Sequence, residues 1–156
     1  MRKRLLQAGV VLILGVVAAQ FIRPNRTNPP LDPTRTIEAH FGGPSPVVAV
    51  LDRSCRDCHT NATVWPGYAE VAPLSWLMAY AVAEGRAAVN FSEWSTYSAE
   101  RQRQLLDLSC ADANNGKMPG VYAQIRPETR LSPGDVEVIC TAARQAGDRA
   151  AAAVPH

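Results

Sequence analysis

Five consecutive residues, Cys55-Arg56-Asp57-Cys58-His59, constrain what this chain can fold into more than any other stretch. They read C-x-x-C-H, the attachment signature of c-type haem. Two thiols at that spacing can add across the two vinyl groups of one porphyrin. The histidine that follows can then reach the iron as an axial ligand. A haem is large and flat, so a small domain that carries one must build its core around it. The same C-x-x-C also serves zinc sites and redox dithiols. A zinc site wants a second ligand pair, and the other two cysteines, Cys110 and Cys140, stand far apart and alone. A thioredoxin-like dithiol would sit in a βαβ unit, and no such pattern surrounds this one. One motif implies one covalent haem c.

The length suits one domain plus a tail or two. A small domain is short of core, and a covalent haem supplies apolar filling. Sixteen basic residues against fourteen acidic ones leave a slight positive charge, and Arg2-Lys3-Arg4 accounts for it. The rest is close to neutral, so nothing points to nucleic acid.

Residues 1–22 read as a signal or membrane-anchor helix: a basic start, then an apolar run from Leu5 to Ile22 interrupted by Gln7 and Gln20. The run is about long enough to span a bilayer at ~1.5 Å per residue. It ends at Arg23-Pro24, which favours a retained anchor. Val17-Ala18-Ala19 offers the alternative of signal-peptidase cleavage and a free periplasmic protein. With the basic residues inside, the remainder faces the periplasm. That address agrees with a haem installed outside the inner membrane, and it permits disulfides.

Residues 23–44, rich in Pro, Asn and Thr, read as a linker that lifts the domain off the membrane. His40 within it reads as an exposed linker histidine before a haem ligand. The haem-binding domain is expected over 45–147. Ser45-Pro46 starts a short helix that runs into C-x-x-C-H. Thr60 to Val71 is irregular, and Trp65 and Tyr68 are expected against the haem edge. Pro73 opens a helix apolar almost all round, hence buried on more than one side. Its Met78 reads as core filler before iron ligand. Ser98 caps a further helix that Asn114-Asn115-Gly116 ends. Tyr122 to Arg130 reads as a loop. Ser132-Pro133 starts the last helix, whose Val136, Ile139, Cys140 and Ala143 form one stripe. Residues 148–156 read as a flexible tail, with His156 irrelevant to iron. Cys110 and Cys140 lie on apolar helix faces and are either a disulfide or two buried thiols.

Met118, in Lys117-Met118-Pro119-Gly120, is the second loaded site. A thioether in a constrained loop far downstream of C-x-x-C-H is where a second axial ligand belongs. Sulfur ligation favours ferrous iron and raises the potential. The bland alternative is a loop methionine with no such role.

The ordered set Ser54–Asn61, Trp65-Pro66-Gly67-Tyr68, Ala72–Trp76, Glu84-Gly85-Arg86, Asn90–Trp94 and Gly116–Pro119 resembles the haem-binding domain family, a branch of small exported monohaem c-type cytochromes. The resemblance covers roughly Val47 to Ala143. It implies haem attachment at Cys55 and Cys58, His59 as proximal ligand, Met118 in the methionine-proline loop, and a compact all-α fold like cytochrome c. Where such proteins often carry His-Pro after that loop, this chain has Arg126-Pro127.

The expected function is electron transfer by a six-coordinate haem with His59 and Met118 as iron ligands, passing electrons to redox partner proteins rather than catalysing a reaction. Trp65, Trp76 and Trp94 are candidate apolar walls. The rival is a haem with an open distal site that binds a gas or peroxide.

Overall fold

The computed structural model describes residues 1–152, and every regular element among them is helical. In chain order these are α1 (Arg2–Ala19), α2 (Ile37–His40), α3 (Pro46–Ser54), α4 (Arg56–His59), α5 (Leu74–Ala88), α6 (Ala99–Asn114), α7 (Tyr122–Ile125) and α8 (Pro133–Ala152), joined by short 3-10 turns. The helix starts follow local chemistry. The Ser45 and Ser98 hydroxyls accept from the Val48 and Arg101 amides, each satisfying an amide that the helix itself leaves free. Ser132 and Asp135 cap each other at the start of α8. At the far end of α6, Gly116 takes φ +67°, the left-handed turn that closes a helix.

The main core lies where α3, α6 and α8 meet the 3-10 turn Phe91–Thr96. Leu51, Phe91, Trp94, Leu105, Leu106 and Ala143 are buried there. Full burial of a Leu or Phe side chain stabilises the fold by roughly 1.5–3 kcal/mol. Helices α6 and α8 run against each other, and a Cys110–Cys140 disulfide joins them with a Cα–Cα distance of 4.7 Å. Closing a loop of this length contributes roughly 3–4 kcal/mol through the unfolded chain. The Arg53–Asp135 ion pair, at 2.8 Å, ties α3 to α8.

Five expectations need correction. The apolar run does form a helix, but no helix among the described residues is long and apolar enough to cross a membrane. The helix stops at Ala19 because Gln20 turns to the domain. Its side chain accepts from the Ala72 amide and donates to the Ala72 carbonyl. The apolar part, Leu5 to Ala19, rises roughly 22 Å, short of the ~30 Å hydrocarbon core.

Residues 23–44 are a strap, not a spacer. Arg26 pairs with Glu70, Asn28 donates to the Thr63 carbonyl, Asn61 donates to the Pro30 carbonyl, and Ile37 enters the main core. Polar side chains of the Pro-rich stretch find backbone partners on the domain, so the segment stays down.

Helix α5 is not buried on several sides. It buries only the stripe Ser75, Met78, Val82 and Gly85, and leaves Leu74, Trp76, Leu77 and Tyr80 exposed. Finally, Tyr122–Arg130 is not a plain loop, since it contains α7 and a 3-10 turn at Pro127–Thr129. Helix α8 continues to Ala152, so 148–152 is helical, and His156 lies outside the described residues.

Candidate functional site

The turn Cys55–His59 is continuous with α3. The Cys55 amide donates to the Leu51 carbonyl and the His59 amide to the Cys55 carbonyl. Its outer side is bound by the loop that follows. Arg56 donates to the Ala62 carbonyl, the Thr63 hydroxyl donates to the Asp57 carbonyl, and the Val64 amide donates to the Asp57 carboxylate. Arg86 donates to the Thr60 carbonyl and Thr63 hydroxyl from α5. Its inner side lies on Gly85. A Cβ there would collide with the Cys58 carbonyl oxygen and come within 3.0 Å of the Cys58 Cβ. Only a glycine lets α5 approach this turn so closely.

The His59 ring is oriented by a hydrogen bond at Nδ1. Its Nδ1 stands 3.1 Å from the Val89 carbonyl oxygen, the geometry of an N–H donor. A neutral imidazole that donates through Nδ1 keeps its lone pair on Nε2, the form that binds a metal. Burial pushes the His59 pKa down, opposed by hydrogen bonds to Val89 and Gly85, so the neutral form is favoured. Cys55 and Cys58 are both unpaired. Burial, reinforced by the neighbouring Cys58, pushes the Cys55 thiol up to about 12. Burial and the adjacent Asp57 push Cys58 up to about 11.

Met118 reaches the same region from the opposite side of the chain. Its loop folds back on α6: the Lys117 and Met118 amides both donate to the Asp112 carbonyl, at 2.9 and 3.2 Å. Lys117 also pairs with the Asp112 carboxylate at 3.2 Å. Gly120 turns the chain with φ +55°, where an added Cβ would lie 2.7 Å from the Lys117 carbonyl oxygen. The Met118–Pro119 peptide bond is cis. Beyond the turn, the Tyr122 hydroxyl donates to the Asp57 carboxylate at 2.7 Å. The methionine loop is therefore bonded to the middle residue of C-x-x-C-H. Burial, then that hydrogen bond, raises the Tyr122 pKa, so the hydroxyl stays a donor.

Between these two segments lies a cavity of about 330 Å³, lined by Cys55, His59 and Met118. Its walls are mostly apolar, with Leu51, Val89, Phe91, Leu105, Leu131 and Ile139, and Arg101, Asp112 and Lys117 add charge to the lining. The volume alone does not distinguish it, since a groove beside His40 and Arg149 measures about 370 Å³. What distinguishes it is the donor set, an imidazole and a thioether facing one apolar space with a thiol at its edge. Cofactor sites of this kind combine apolar walls with a few convergent polar groups. Met118 is 40% exposed at the rim.

Cys58 is not among the lining residues; it stands against Gly85. Trp65, Trp76 and Trp94 do not line the cavity either, contrary to the sequence expectation. Trp94 is core and touches the site only through Phe91, whose ring centroid lies 5.9 Å from that of His59. Trp65 and Tyr68 pack with Ala69, Met78 and Val82 in a separate cluster, which also leaves Met78 as filler. His40 lies against Phe41 and Trp94, away from the cavity. The sequence reading overlooked Asp57, Asp112, Tyr122 and the Val89 carbonyl. Gly85, a glycine inside a helical pattern, carried a signal of close backbone approach.

An imidazole with a free Nε2, a thioether and the unpaired Cys55 around a largely apolar cavity, with Cys58 one turn away against Gly85, define the site of a haem protein. The chain belongs to the haem-binding domain family, whose model matches residues 14–145. No curated protein and no solved structure matches the chain.

The residues present suit a haem. The Nδ1 hydrogen bond orients a nitrogen ligand, Met118 offers a soft sulfur, and most of the lining is aliphatic or aromatic, with Arg101, Asp112 and Lys117 its charged members. The disulfide partners Cys110 and Cys140 adjoin the lining residues Ser109 and Ile139, so the clip between α6 and α8 also fixes two walls.

Proposed function

We propose that this protein is a monohaem c-type cytochrome that carries electrons on the exported side of the membrane. The observation that carries the reading is the convergence of Cys55, His59 and Met118 on one apolar cavity. Cys55 and Cys58 would hold the porphyrin by thioethers, and His59 and Met118 would hold the iron. A haem so held supplies a one-electron iron couple. The chain's own contribution is order. Val89 fixes the tautomer and angle of His59, and Gly85 lets α5 support the attachment turn. Asp112 and the Tyr122–Asp57 bond hold the Met118 loop over the cavity. Apolar walls exclude water, which tunes the potential. With His59 and Met118 both holding the iron, the site would leave no place for a substrate, which favours electron transfer over catalysis. The N-terminal basic and apolar segment supports export, where c-type haem is installed.

The test is spectroscopic. Purified holoprotein should give a c-type pyridine haemochrome, a weak ferric band toward the red end of the spectrum, and no rapid carbon monoxide binding in the ferrous state. A b-type haemochrome would refute covalent attachment. Rapid carbon monoxide binding would establish the open-site alternative, a gas- or peroxide-binding haem.

A further inference from the structure

Among the described residues, two apolar surfaces have no partner, and they meet. Helix α1 buries none of its residues, and from Leu5 to Ala19 it is apolar all round except at Gln7. Helix α5 turns a stripe of Leu74, Trp76, Leu77 and Tyr80 outward, with Leu77 61% and Tyr80 66% exposed. Residues at these spacings fall on one face of a helix. Glu84 is the first acidic residue after them. The two surfaces are joined at a bonded corner. Gln20 holds both backbone groups of Ala72, and the Trp76 indole N–H donates to the Ile22 carbonyl at 2.8 Å. Phe21 and Ile22, both exposed, bridge the gap.

The nature of α1 selects the occupant. A protein groove covers one side of a helix, whereas a helix apolar all round needs an apolar medium on every side. Lipid is such a medium, and the corner places the α5 stripe at the edge of whatever receives α1. The stripe has the composition of that edge: Trp and Tyr favour the headgroup level, with aliphatic neighbours reaching below it. Arg2-Lys3-Arg4 at the start of α1 suits anionic headgroups. We infer that the domain lies on the bilayer surface through the Leu74–Tyr80 face of α5, with α1 embedded beside it. This inference does not depend on the haem reading.

The experiment uses full-length protein and vesicles of phosphatidylcholine and phosphatidylglycerol that contain a diazirine-tagged phospholipid. After illumination, carbene adducts are expected on the peptide carrying Trp76, Leu77 and Tyr80 as well as on α1, and not on Val121 or Ile125. In flotation, the double variant Leu77→Glu/Tyr80→Glu should bind roughly tenfold more weakly than the unsubstituted protein, and Ile125→Glu should match it. Helical circular dichroism confirms that the variants are folded, and the labelling arm needs no variant. Adducts confined to α1, or unchanged flotation of the double variant, would overturn the inference. So would a dimer in sedimentation that the double variant abolishes, because the face would then belong to a second copy.

Discussion

The two segments that face each other across the cavity are held in opposite ways. The Cys55–His59 turn is clamped from outside by Arg56, Thr63 and Arg86, and from inside by Gly85 and the Val89 carbonyl. Among the described residues, the Met118 loop is anchored by two amides on the Asp112 carbonyl, the Lys117–Asp112 pair at the surface, and Tyr122 on Asp57. The first is built to be rigid before any cofactor arrives. The second is fixed at its ends and exposed at its tip. Under the proposed reading, a site divided this way would let the His59 side define where the iron sits while the Met118 side adjusts to it.

Removing the clamp's chemical purpose should have the largest effect. In Cys55→Ala/Cys58→Ala, covalent haem should be lost entirely, measured as haem that organic solvent extracts from denatured protein. Next comes the clamp itself. Gly85→Val places a side chain against the Cys58 carbonyl and should cost roughly 3 kcal/mol by overpacking. Chemical denaturation measures this, and stability equal to the unsubstituted protein would mean that α5 does not fix the turn. The adaptable side comes third. Met118→Ala should remove the weak ferric band and lower the midpoint potential by on the order of 0.1 V, within the ~0.8 V that axial ligands span. An unchanged potential in a redox titration would show that sulfur is not the sixth ligand. The smallest effect belongs to the tether between the two sides. Tyr122→Phe removes one hydrogen bond to a carboxylate and should destabilise by about 1.5 kcal/mol. It should also speed carbon monoxide entry severalfold, while the covalent haem content stays constant.

The same contrast separates what could be read from the sequence from what could not. Local signals survived: the Ser45 and Ser98 caps, Pro133 at the start of α8 and the Gly116 stop depend on a few neighbouring residues, and all form as written. The motif names Cys55, Cys58 and His59 because their chemistry fixes their spacing. The Asp57–Tyr122 bond joins residues 65 apart, and no local pattern announces it. Helix α5 failed for a different reason. Its composition says apolar on all sides, and the inference to burial assumed that the domain itself must provide the cover. The strap failed because Pro and Asn in a row resemble a spacer, whereas Arg26, Asn28 and Ile37 each find a partner far along the chain. The tryptophans were assigned to the cavity by nearness in sequence, but aliphatic residues of α3, α6 and α8 took that place.

The strap also makes the domain a mechanical object. Tension on α1 would load the Gln20–Ala72 bonds and the Trp76–Ile22 bond first, and then the Arg26–Glu70 pair. Past these, the pull falls on Arg86, which donates through Nη1 to Thr27, through Nη2 to both Asn28 and Thr63, and through Nε to the Thr60 carbonyl. Thr60 is the residue after His59. The load path from the N-terminal segment therefore ends at the residue next to His59, and whatever holds or releases that segment has a short lever on the position of that imidazole.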